Sequence, residues 1–363
     1  MAAFAMYRLP HAEKYTVITQ LEGKPETLRS YSDLSGKSGF CVAPFSISPT
    51  SPLLLIRADR IEERSLEGVP RYADASVPLA MTVGNSMQRS DYATTFARFH
   101  SALIEGEFRK LVLARCAEEE MSGATDVEAL FHCACRLYPR TFVALVSTPQ
   151  SGTWLVATPE ILLDGSGNQW RTVALAGTMK LEGGMLDFDT GRGGASDVRP
   201  AEITWSTKNI QEQHYVATYI KDCLLQFADD ICEEGPTTVR AGNLVHLRSD
   251  FRFRLAPDAN IGNLIEALHP TPAVCGLPKH EACKFIIDNE NMQRRYYSGF
   301  MGPLNVADST HLYVSLRCMQ ITGSRCRLYA GGGLLKDSIE EQEWNETEAK
   351  LETMRRCIAI KKM

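Results

Sequence analysis

Acidic side chains at helical spacing are the first sign of chemistry in the sequence. Across residues 206–227, apolar residues recur every three or four positions, and Glu212 falls on their side. Near the C-terminus, Glu343, Glu346 and Lys350 fall within a sector of about 60° if each residue turns the helix by about 100°. Both segments therefore predict a helix that directs carboxylates toward the protein interior.

Such acids have two interpretations, which the residues alone leave open. One is a solvated ladder of salt bridges, such as Glu346 with Lys350 four positions later. The other is a metal site, because a carboxylate facing a core is costly unless it is paired, hydrogen-bonded or bound to a cation. Mg²⁺ prefers hard oxygen ligands and keeps part of its water. Two converging helices that supply Glu212 and Glu346 would suit it.

Four further features could bind an anion or a ring or line such a site, and the first three also have a structural interpretation. Arg317 lies in the apolar run LYVSLRCMQI, where its guanidinium can pair with the carboxylate of a ligand or of the protein itself. Glycines 331–333 permit either close approach of backbone N–H groups to an anion or a tight turn. His246 is a lone histidine in an apolar strand, which favours a hydrogen-bonded core role. The rigid, proline-rich segment HPTPAVCGLPK is of a kind that often lines sites.

One helix and several strands are predicted between the N-terminal stretch and the first acidic helix. Aromatic and apolar spacing predicts a helix from Asp91 to Gly106, followed by a strand that starts near Lys110. The runs TFVALVS and TWLVATPEILL, joined by the turn TPQSG, predict a hairpin with Glu160 at or near its second strand.

Two stretches contain no chemical motif. Residues 1–90 mix short apolar runs with turn residues, which indicates strands and turns. Residues 181–200 are rich in Gly and Asp and lack periodicity, so they predict a long surface loop. Because motifs lie on both sides of this loop, we expect one domain and not two.

Composition excludes several classes of function. The 363 residues are 44% apolar and 23% charged, with a net charge of −5 and no basic block, so neither nucleic acid nor an anionic membrane is an expected partner. The 11 cysteines include no C-x-x-C pair, which is typical of cytosolic thiols. Without a signal peptide or a run of about 18 apolar residues, a cytoplasmic enzyme acting on a small molecule is expected.

Taken together and in order, a set of motifs resembles the chorismate-utilising enzymes, which include anthranilate synthase component I, aminodeoxychorismate synthase, salicylate synthase and isochorismate synthase. The resemblance covers roughly residues 90–360. The motifs are FRKLVLAR, ATPEILL, ALAGT, KNIQEQH, HPTPAVCGLPK, RRYYSGFMG, SLRC, YAGGGLL and EQEWNETEAKL.

The resemblance implies an α/β fold of the α+β type: a single large domain with a mainly antiparallel β-sheet framework flanked by helices. Residues 1–90 would be its N-terminal β-rich part and residues 91–363 its chorismate-binding catalytic region. It also implies one Mg²⁺ held against the ring carboxylate of chorismate. Glu212 and Glu346 are its implied ligands, with Glu343 close by.

Substrate contacts follow from the same resemblance. Arg317 and Tyr297 would contact the enolpyruvyl carboxylate, assisted by the backbone at Gly331. The other implied substrate-binding residues are Gly177, Thr178, His246, Ala273, Val274 and Lys350. The family often has a histidine directly after its first metal glutamate, whereas this chain has Gln213 there and His214 next.

The residues at the reacting positions indicate which nucleophile is used. Lys110 matches the lysine to which the family assigns activation of water, and Glu160 matches the acid that protonates the departing C4 hydroxyl. With Ala273 and Val274 after the second proline, the chain resembles isochorismate synthases, since salicylate synthases have a threonine there.

We therefore expect a Mg²⁺-dependent isochorismate synthase with no obligatory protein partner, in menaquinone or siderophore biosynthesis. The alternatives are a salicylate synthase, which also expels pyruvate, an anthranilate-type synthase fed with ammonia, and a non-catalytic chorismate-binding relative. Retention of Lys110, Glu160, Glu212 and Glu346 favours an enzyme, because a binder needs no acid and base together.

Overall fold

Strands are the most abundant secondary structure of the computed structural model, which describes residues 3–67, 88–121, 126–180, 203–241 and 244–359. The loop predicted at residues 181–200 lies outside these ranges. The described strands are β1 (Ala3–Arg8), β2 (Lys14–Gln20), β3 (Glu26–Leu28), β4 (Gly39–Ala43), β5 (Leu53–Ile56), β6 (Arg60–Ser65), β7 (Lys110–Glu120), β8 (Phe142–Thr148), β9 (Gly152–Thr158), β10 (Ile161–Ser166), β11 (Gln169–Lys180), β12 (Ala228–Ala241), β13 (Leu244–Leu255), β14 (Gly276–Leu277), β15 (Phe300–Leu304), β16 (Thr310–Val314), β17 (Cys318–Thr322) and β18 (Arg325–Leu334). The described α-helices are α1 (Arg89–Ile104), α2 (Val127–Leu137), α3 (Thr207–Leu224), α4 (Ile261–Leu268), α5 (Lys279–Asn289) and α6 (Glu340–Ala359).

The strands form two antiparallel sheets of nine strands each. In the first sheet the order is β14-β7-β18-β17-β9-β8-β1-β2-β6, and in the second it is β12-β13-β11-β10-β16-β15-β4-β5-β3. The strands before residue 66 are divided between the two sheets, so this stretch is built into both. The prediction of one large, mainly antiparallel domain flanked by helices is confirmed.

The sheets pack face to face around an aromatic and aliphatic core. Tyr7 and Phe142 of the first sheet meet Phe40 and Tyr313 of the second, and the rings of Phe142 and Tyr313 stack with centroids 4.3 Å apart. Apolar faces of α3 and α4 cover the second sheet, and those of α2 and α6 cover the first. Burial of apolar area in these layers supplies most of the stabilisation.

Two neighbouring strands cross from one sheet into the other. The predicted hairpin is confirmed, since β8 pairs with β9 from Phe142–Thr158 to Thr148–Gly152. The run TWLVATPEILL is however not one strand, because it leaves the first sheet after β9 and enters the second at β10. Pro159, which has no N–H to donate to a sheet, lies at this break. The run around Arg317 breaks in the same way between β16 and β17.

No helix in the described part of the chain is both long and apolar enough to cross a bilayer. The longest, α6, has 20 residues, and acidic side chains fill its first turn.

Candidate active site

A buried cavity of about 50 Å³ lies where the two crossing strands meet the ends of β11, β13 and β18 and the helices α3 and α6. Of the fourteen residues singled out in the sequence, eleven line it: Glu160, Gly177, Thr178, Glu212, His246, Ala273, Val274, Tyr297, Arg317, Gly331 and Lys350. The other three, Lys110, Glu343 and Glu346, form ion pairs at its edge.

Glu160 lies in the crossing between β9 and β10 and is only 3% exposed. Its backbone is fixed on both sides, since its N–H donates to Oγ1 of Thr158 at 3.3 Å and its carbonyl accepts from Val314 N–H at 2.9 Å. Burial raises the pKa of its carboxyl to about 7, against the opposing charges of Lys110, Arg317 and Lys350. Near neutral pH this group can therefore hold a proton and donate it.

Arg317 lies in the other crossing, with φ +43°, an uncommon backbone angle for a residue with a side chain. Burial lowers the pKa of its guanidinium, although Tyr297, Glu346 and Glu160 act in the opposite direction. Among the described residues, no carboxylate lies within ion-pair distance of it. The internal ion pair considered from the sequence is therefore not formed among these residues. A partly buried guanidinium without such a partner is costly in free energy.

His246 connects Arg317 to the opposite wall. Its Nδ1 donates to the carbonyl of Gly177 at 3.1 Å and lies 3.3 Å from Oγ1 of Thr178, while its Nε2 is 3.4 Å from Nη2 of Arg317. Because a carbonyl only accepts, Nδ1 must bear the hydrogen and Nε2 is free to accept. Burial, with Arg317 and Lys350 nearby, lowers the pKa of His246 to about 3. The ring is neutral and fixed in one tautomer.

Gly177 produces the turn that places these groups. It interrupts the pairing of β11 with β13 as a bulge and has φ +69°. A Cβ there would also lie 3.1 Å from Cβ of Asn209 on α3. Only glycine readily adopts this positive φ and also leaves room for helix α3 to approach this closely.

Tyr297 and the glycine run form another wall of the cavity. Tyr297 is buried, its ring stacks on Tyr329 with centroids 5.6 Å apart, and burial raises the pKa of its hydroxyl. A Cβ on Gly331 would lie 2.7 Å from that hydroxyl. Ala273 and Val274, from the proline-rich loop, complete the apolar part of the lining.

Three carboxylates at the edge of the cavity each face a lysine. Nζ of Lys110 is 2.8 Å from Oε1 of Glu212, without the angles of a hydrogen bond, and Nζ of Lys350 is 2.6 Å from Oε1 of Glu346. Lys350 also donates to the carbonyl of Gly331 at 2.8 Å. The third pair joins Lys208 to Glu343. The three lysines thereby offset the negative charges of the three carboxylates, which would otherwise repel one another.

The same carboxylates converge on the backbone of Gly332 and Gly333. A Cβ on Gly333 would lie 2.0 Å from Oε1 of Glu212, and one on Gly332 would lie 3.1 Å from Oε2 of Glu343 and 4.0 Å from Oε1 of Glu346. Oε2 of Glu343 is buried and has no hydrogen-bond partner in the part of the chain that the structure describes. This all-oxygen donor set suits a hard divalent cation such as Mg²⁺.

Glu212, Glu343 and Glu346 are each paired with a lysine and not with a common ligand. Among the described residues, no three His, Cys, Asp or Glu side chains are already arranged as a metal cage. Burial and the charge of Glu346 raise the pKa of Glu343 to about 7. Burial also opposes ionisation of Glu346, but Lys350, Lys208 and Arg317 outweigh it and lower its pKa.

Sequence reasoning missed Lys208 and Pro159. Lys208 precedes Glu212 by four residues, so helical spacing alone could have placed it on the same side of α3. Gly333 belongs to the glycine run singled out in the sequence, but a sequence pattern does not indicate which of the three glycines a carboxylate approaches. Pro159 marks the crossing, and a proline inside a predicted strand was the available signal.

Gln213, which stands where the family often has histidine, has a clear structural role. It is buried, and its side-chain amide accepts from Ala176 N–H at 2.9 Å and donates to the carbonyl of Ala174 at 3.1 Å. It also donates to Oγ of Ser249 at 3.2 Å. Gln213, the residue that departs from the family pattern, therefore fastens α3 to β11 directly beside Gly177.

Comparisons with known proteins agree on one family. A family model described as chorismate binding enzyme matches residues 52–359. The chain is 28% identical over 352 residues to the salicylate biosynthesis isochorismate synthase of Pseudomonas aeruginosa, covering 97% of this chain and 67% of that protein. It is 27% identical over 301 residues to the isochorismate synthase MenF of Bacillus subtilis, covering 80% of this chain and 62% of that protein.

A solved structure gives the same fold. The menaquinone-specific isochorismate synthase MenF of Escherichia coli superposes with a TM-score of 0.75 at 21% identity, over 99% of this chain and 89% of that one. The two curated relatives are longer, and the chain spans 62 to 67% of their length.

Proposed function

The chain belongs to the chorismate binding enzyme family, and from this premise we propose that it is a Mg²⁺-dependent isochorismate synthase. The substrate would be chorismate, a small dicarboxylate with a cyclohexadiene ring. The proposal rests on one juxtaposition: a carboxyl with a pKa of about 7, Glu160, and a guanidinium that has no carboxylate partner among the described residues, Arg317, line the same buried cavity. The first can protonate a leaving group, and the second can bind an anion.

Binding of the substrate would use the unpaired polar groups of the cavity. A guanidinium binds a carboxylate through two parallel hydrogen bonds, so Arg317 would hold the enolpyruvyl carboxylate, with Tyr297 and the backbone at Gly331 beside it. His246 would present its neutral Nε2 edge to the ring side, because Nδ1 is committed to Gly177. Gly177 and Thr178, in the turn, would contact the ring of the substrate.

The reaction moves a hydroxyl group from C4 to C2. Lys110, once its amine is neutral, would take a proton from a water molecule whose oxygen bonds to C2. The ring double bonds shift, the C4–O bond breaks, and Glu160 donates its proton so that the C4 hydroxyl departs as water. One water enters and one leaves, so the reaction is an isomerisation with no redox change. The two protein groups exchange protons with solvent to complete the cycle.

Glu212 and Glu346 would hold the metal, with Glu343 adjacent. When bound, Mg²⁺ would neutralise and orient the ring carboxylate. For this chain the consequence is a change of partners, because Lys110 and Lys350 now occupy the oxygens that a cation would need.

Retention of the pyruvate group would distinguish this enzyme from a salicylate synthase. The lining at Ala273 and Val274 is apolar and supplies no side-chain hydroxyl to the ring. A group that assisted pyruvate elimination would have to come from elsewhere in the cavity.

Product analysis tests the proposal. Purified protein is incubated with chorismate and Mg²⁺, and the products are separated and identified. We expect isochorismate without pyruvate. Salicylate with an equal amount of pyruvate would make the enzyme a salicylate synthase, an aminated ring formed only with ammonia would make it an anthranilate-type synthase, and unchanged chorismate would leave only a binder.

A further inference from the structure

A buried ion pair that the proposed reaction does not use lies beside the candidate active site. The side chains of Arg294 and Glu290 are 3% and 2% exposed, and Nε of Arg294 donates to Oε2 of Glu290 at 2.7 Å. The guanidinium carbon lies 4.4 Å from the ring centroid of Phe45. Neither charged side chain is among the described residues that line the cavity. Because the burial of two charges offsets much of their attraction, stability alone does not explain such a pair.

The ion pair completes the edge of β7 where its neighbouring strand ends. Strand β14 pairs with the first two residues of β7, and the N–H of Val112 then donates to the carbonyl of Cys275 at 2.7 Å. Beyond this bond, Nη2 of Arg294 donates to the carbonyl of Val112 at 2.8 Å. Oε1 of Glu290 accepts from Ala114 N–H at 2.8 Å. A buried backbone group without a partner is costly, so the two side chains replace the hydrogen bonds of a longer β14.

Arg294 also joins three segments that line the cavity. Its Nη1 donates to the carbonyl of Val274 at 2.7 Å, and its backbone carbonyl accepts from Tyr297 N–H at 2.9 Å. Val112, Val274 and Tyr297 all line the cavity. They come from β7, from the proline-rich loop and from the segment before β15, and we call them the Arg294-linked wall. Each of the three is hydrogen-bonded directly to Arg294.

The proposed base and acid are held without this ion pair. Lys110 begins β7 within its pairing to β14, and it also lies beside Glu212. Glu160 and Arg317 are fixed in the two strand crossings by their own backbone hydrogen bonds. Loss of the ion pair would therefore disturb the Arg294-linked wall and leave the groups that move protons in place.

We propose that Arg294 is a positioning residue, which through its ion pair with Glu290 sets the geometry of the Arg294-linked wall and thereby the affinity of the cavity for its substrate. The inference rests on the proposed function for the identity of that substrate, chorismate. Binding groups that are already fixed in place lose less conformational entropy when a ligand binds. Arg294 therefore acts on substrate binding and not on the chemical step.

Two variants separate positioning from stability. Arg294→Lys keeps a positive charge beside Glu290, but an ammonium group does not reproduce the planar fork that reaches a carboxylate and two carbonyls. Glu290→Gln combined with Arg294→Gln removes both charges together and so leaves no lone buried charge. Glu119→Gln combined with Arg355→Gln is the matched control. That ion pair, at 2.9 Å, is also buried, and neither of its residues is among those that line the cavity.

We expect KM for chorismate to rise about five- to twentyfold in both Arg294 variants, with kcat within about twofold of wild type. Kinetics are measured at a temperature at which circular dichroism shows every variant to be folded. Arg294→Lys should keep a Tm near that of wild type, whereas the control pair should lower Tm without changing KM. An unchanged KM in Arg294→Lys, an equal rise of KM in the control, or a loss confined to kcat would overturn the proposal.

Failure of the proposed function is separable from failure of this inference. If the wild-type protein forms no isochorismate, chorismate binding is compared by equilibrium dialysis. Weaker binding by the Arg294 variants alone would uphold the inference, and equal binding by all variants would reject it. If chorismate does not bind, amide hydrogen exchange of residues 110–116 and 270–278 tests the positioning itself. Faster exchange there in Arg294→Lys but not in the control would uphold it, and equal exchange would reject it.

Discussion

Glu160 and Arg317 lie at the two points where neighbouring strands pass from one sheet into the other, and their backbones are tied to each other's strands. The carbonyl of Arg317 accepts from Ala157 N–H at 3.0 Å, and the carbonyl of Glu160 accepts from Val314 N–H at 2.9 Å. The acid and the anion-binding group are therefore positioned by the sheet framework and not by a free loop. Rigid placement of this kind reduces the cost of reaching a reactive geometry.

Replacement of Lys110 tests the base. Lys110→Ala should lower kcat about 10²- to 10⁴-fold, the usual contribution of a general base, while Mg²⁺-dependent chorismate binding remains detectable by calorimetry. Lys110→Arg is the matched control, since it keeps a cation near Glu212 but cannot give a neutral base. Both variants should show this loss of kcat. Full turnover by either would remove Lys110 from the mechanism.

The pH dependence of kcat tests the acid. Glu160 must be protonated to act, and burial raises its pKa to about 7, so kcat should fall as the pH rises through about 7. Glu160→Gln cannot donate a proton and should lose about 10²- to 10⁴-fold in kcat. The charged groups facing Glu160 are Lys110, Arg317 and Lys350. If ionisation of Glu160 causes this fall in kcat at high pH, the residual activity of Glu160→Gln should not show the fall. The same fall in the variant would assign the titration to another group.

Arg317→Gln separates substrate binding from stability. The guanidinium has no carboxylate partner in the described structure, so its loss should not lower the Tm of the ligand-free protein. Charged hydrogen bonds contribute about 1.5–3 kcal/mol, so KM for chorismate should rise about tenfold or more. Thermal scans with and without chorismate, together with steady-state kinetics, measure both effects. An unchanged KM with a lowered Tm would assign Arg317 a structural role.

Substitution of the acids tests the metal site independently of turnover. Glu212→Gln and Glu346→Gln should each weaken Mg²⁺ binding, measured by titration calorimetry, by about tenfold or more. Glu348→Gln on the same helix is the control, because Glu348 pairs with Arg355 and Arg115 and does not approach the glycine run. Equal Mg²⁺ affinity in all three variants would disprove the assigned ligands.

Gly333→Ala tests the approach of Glu212 to the glycine run. The added Cβ would lie 2.0 Å from Oε1 of Glu212, so the carboxylate must move and Mg²⁺ affinity should fall. Gly332→Ala meets its nearest carboxylate oxygen, on Glu343, only at 3.1 Å, so its effect should be smaller. The same calorimetric titration ranks the two variants, and the reverse order would contradict the geometry.

The sequence by itself determined the local elements that bear most of the candidate site residues. Period-3.6 spacing placed Glu212, Glu343, Glu346 and Lys350 on helices, and the hairpin before Glu160 followed from alternation and a turn. These are local properties, because the period of a helix or strand is fixed by its backbone. The motifs then brought the separate segments into one site by resemblance to a family.

Only the tertiary structure decided what each of these groups faces. The runs through Glu160 and Arg317 look like continuous strands in sequence, yet both change sheets, because packing of two twisted sheets and not local propensity determines where a strand leaves. The same long-range packing placed a lysine beside each of Glu212, Glu343 and Glu346, and it left Arg317 without a carboxylate partner among the described residues. Charge compensation depends on distances between residues far apart in the chain, which no local pattern contains.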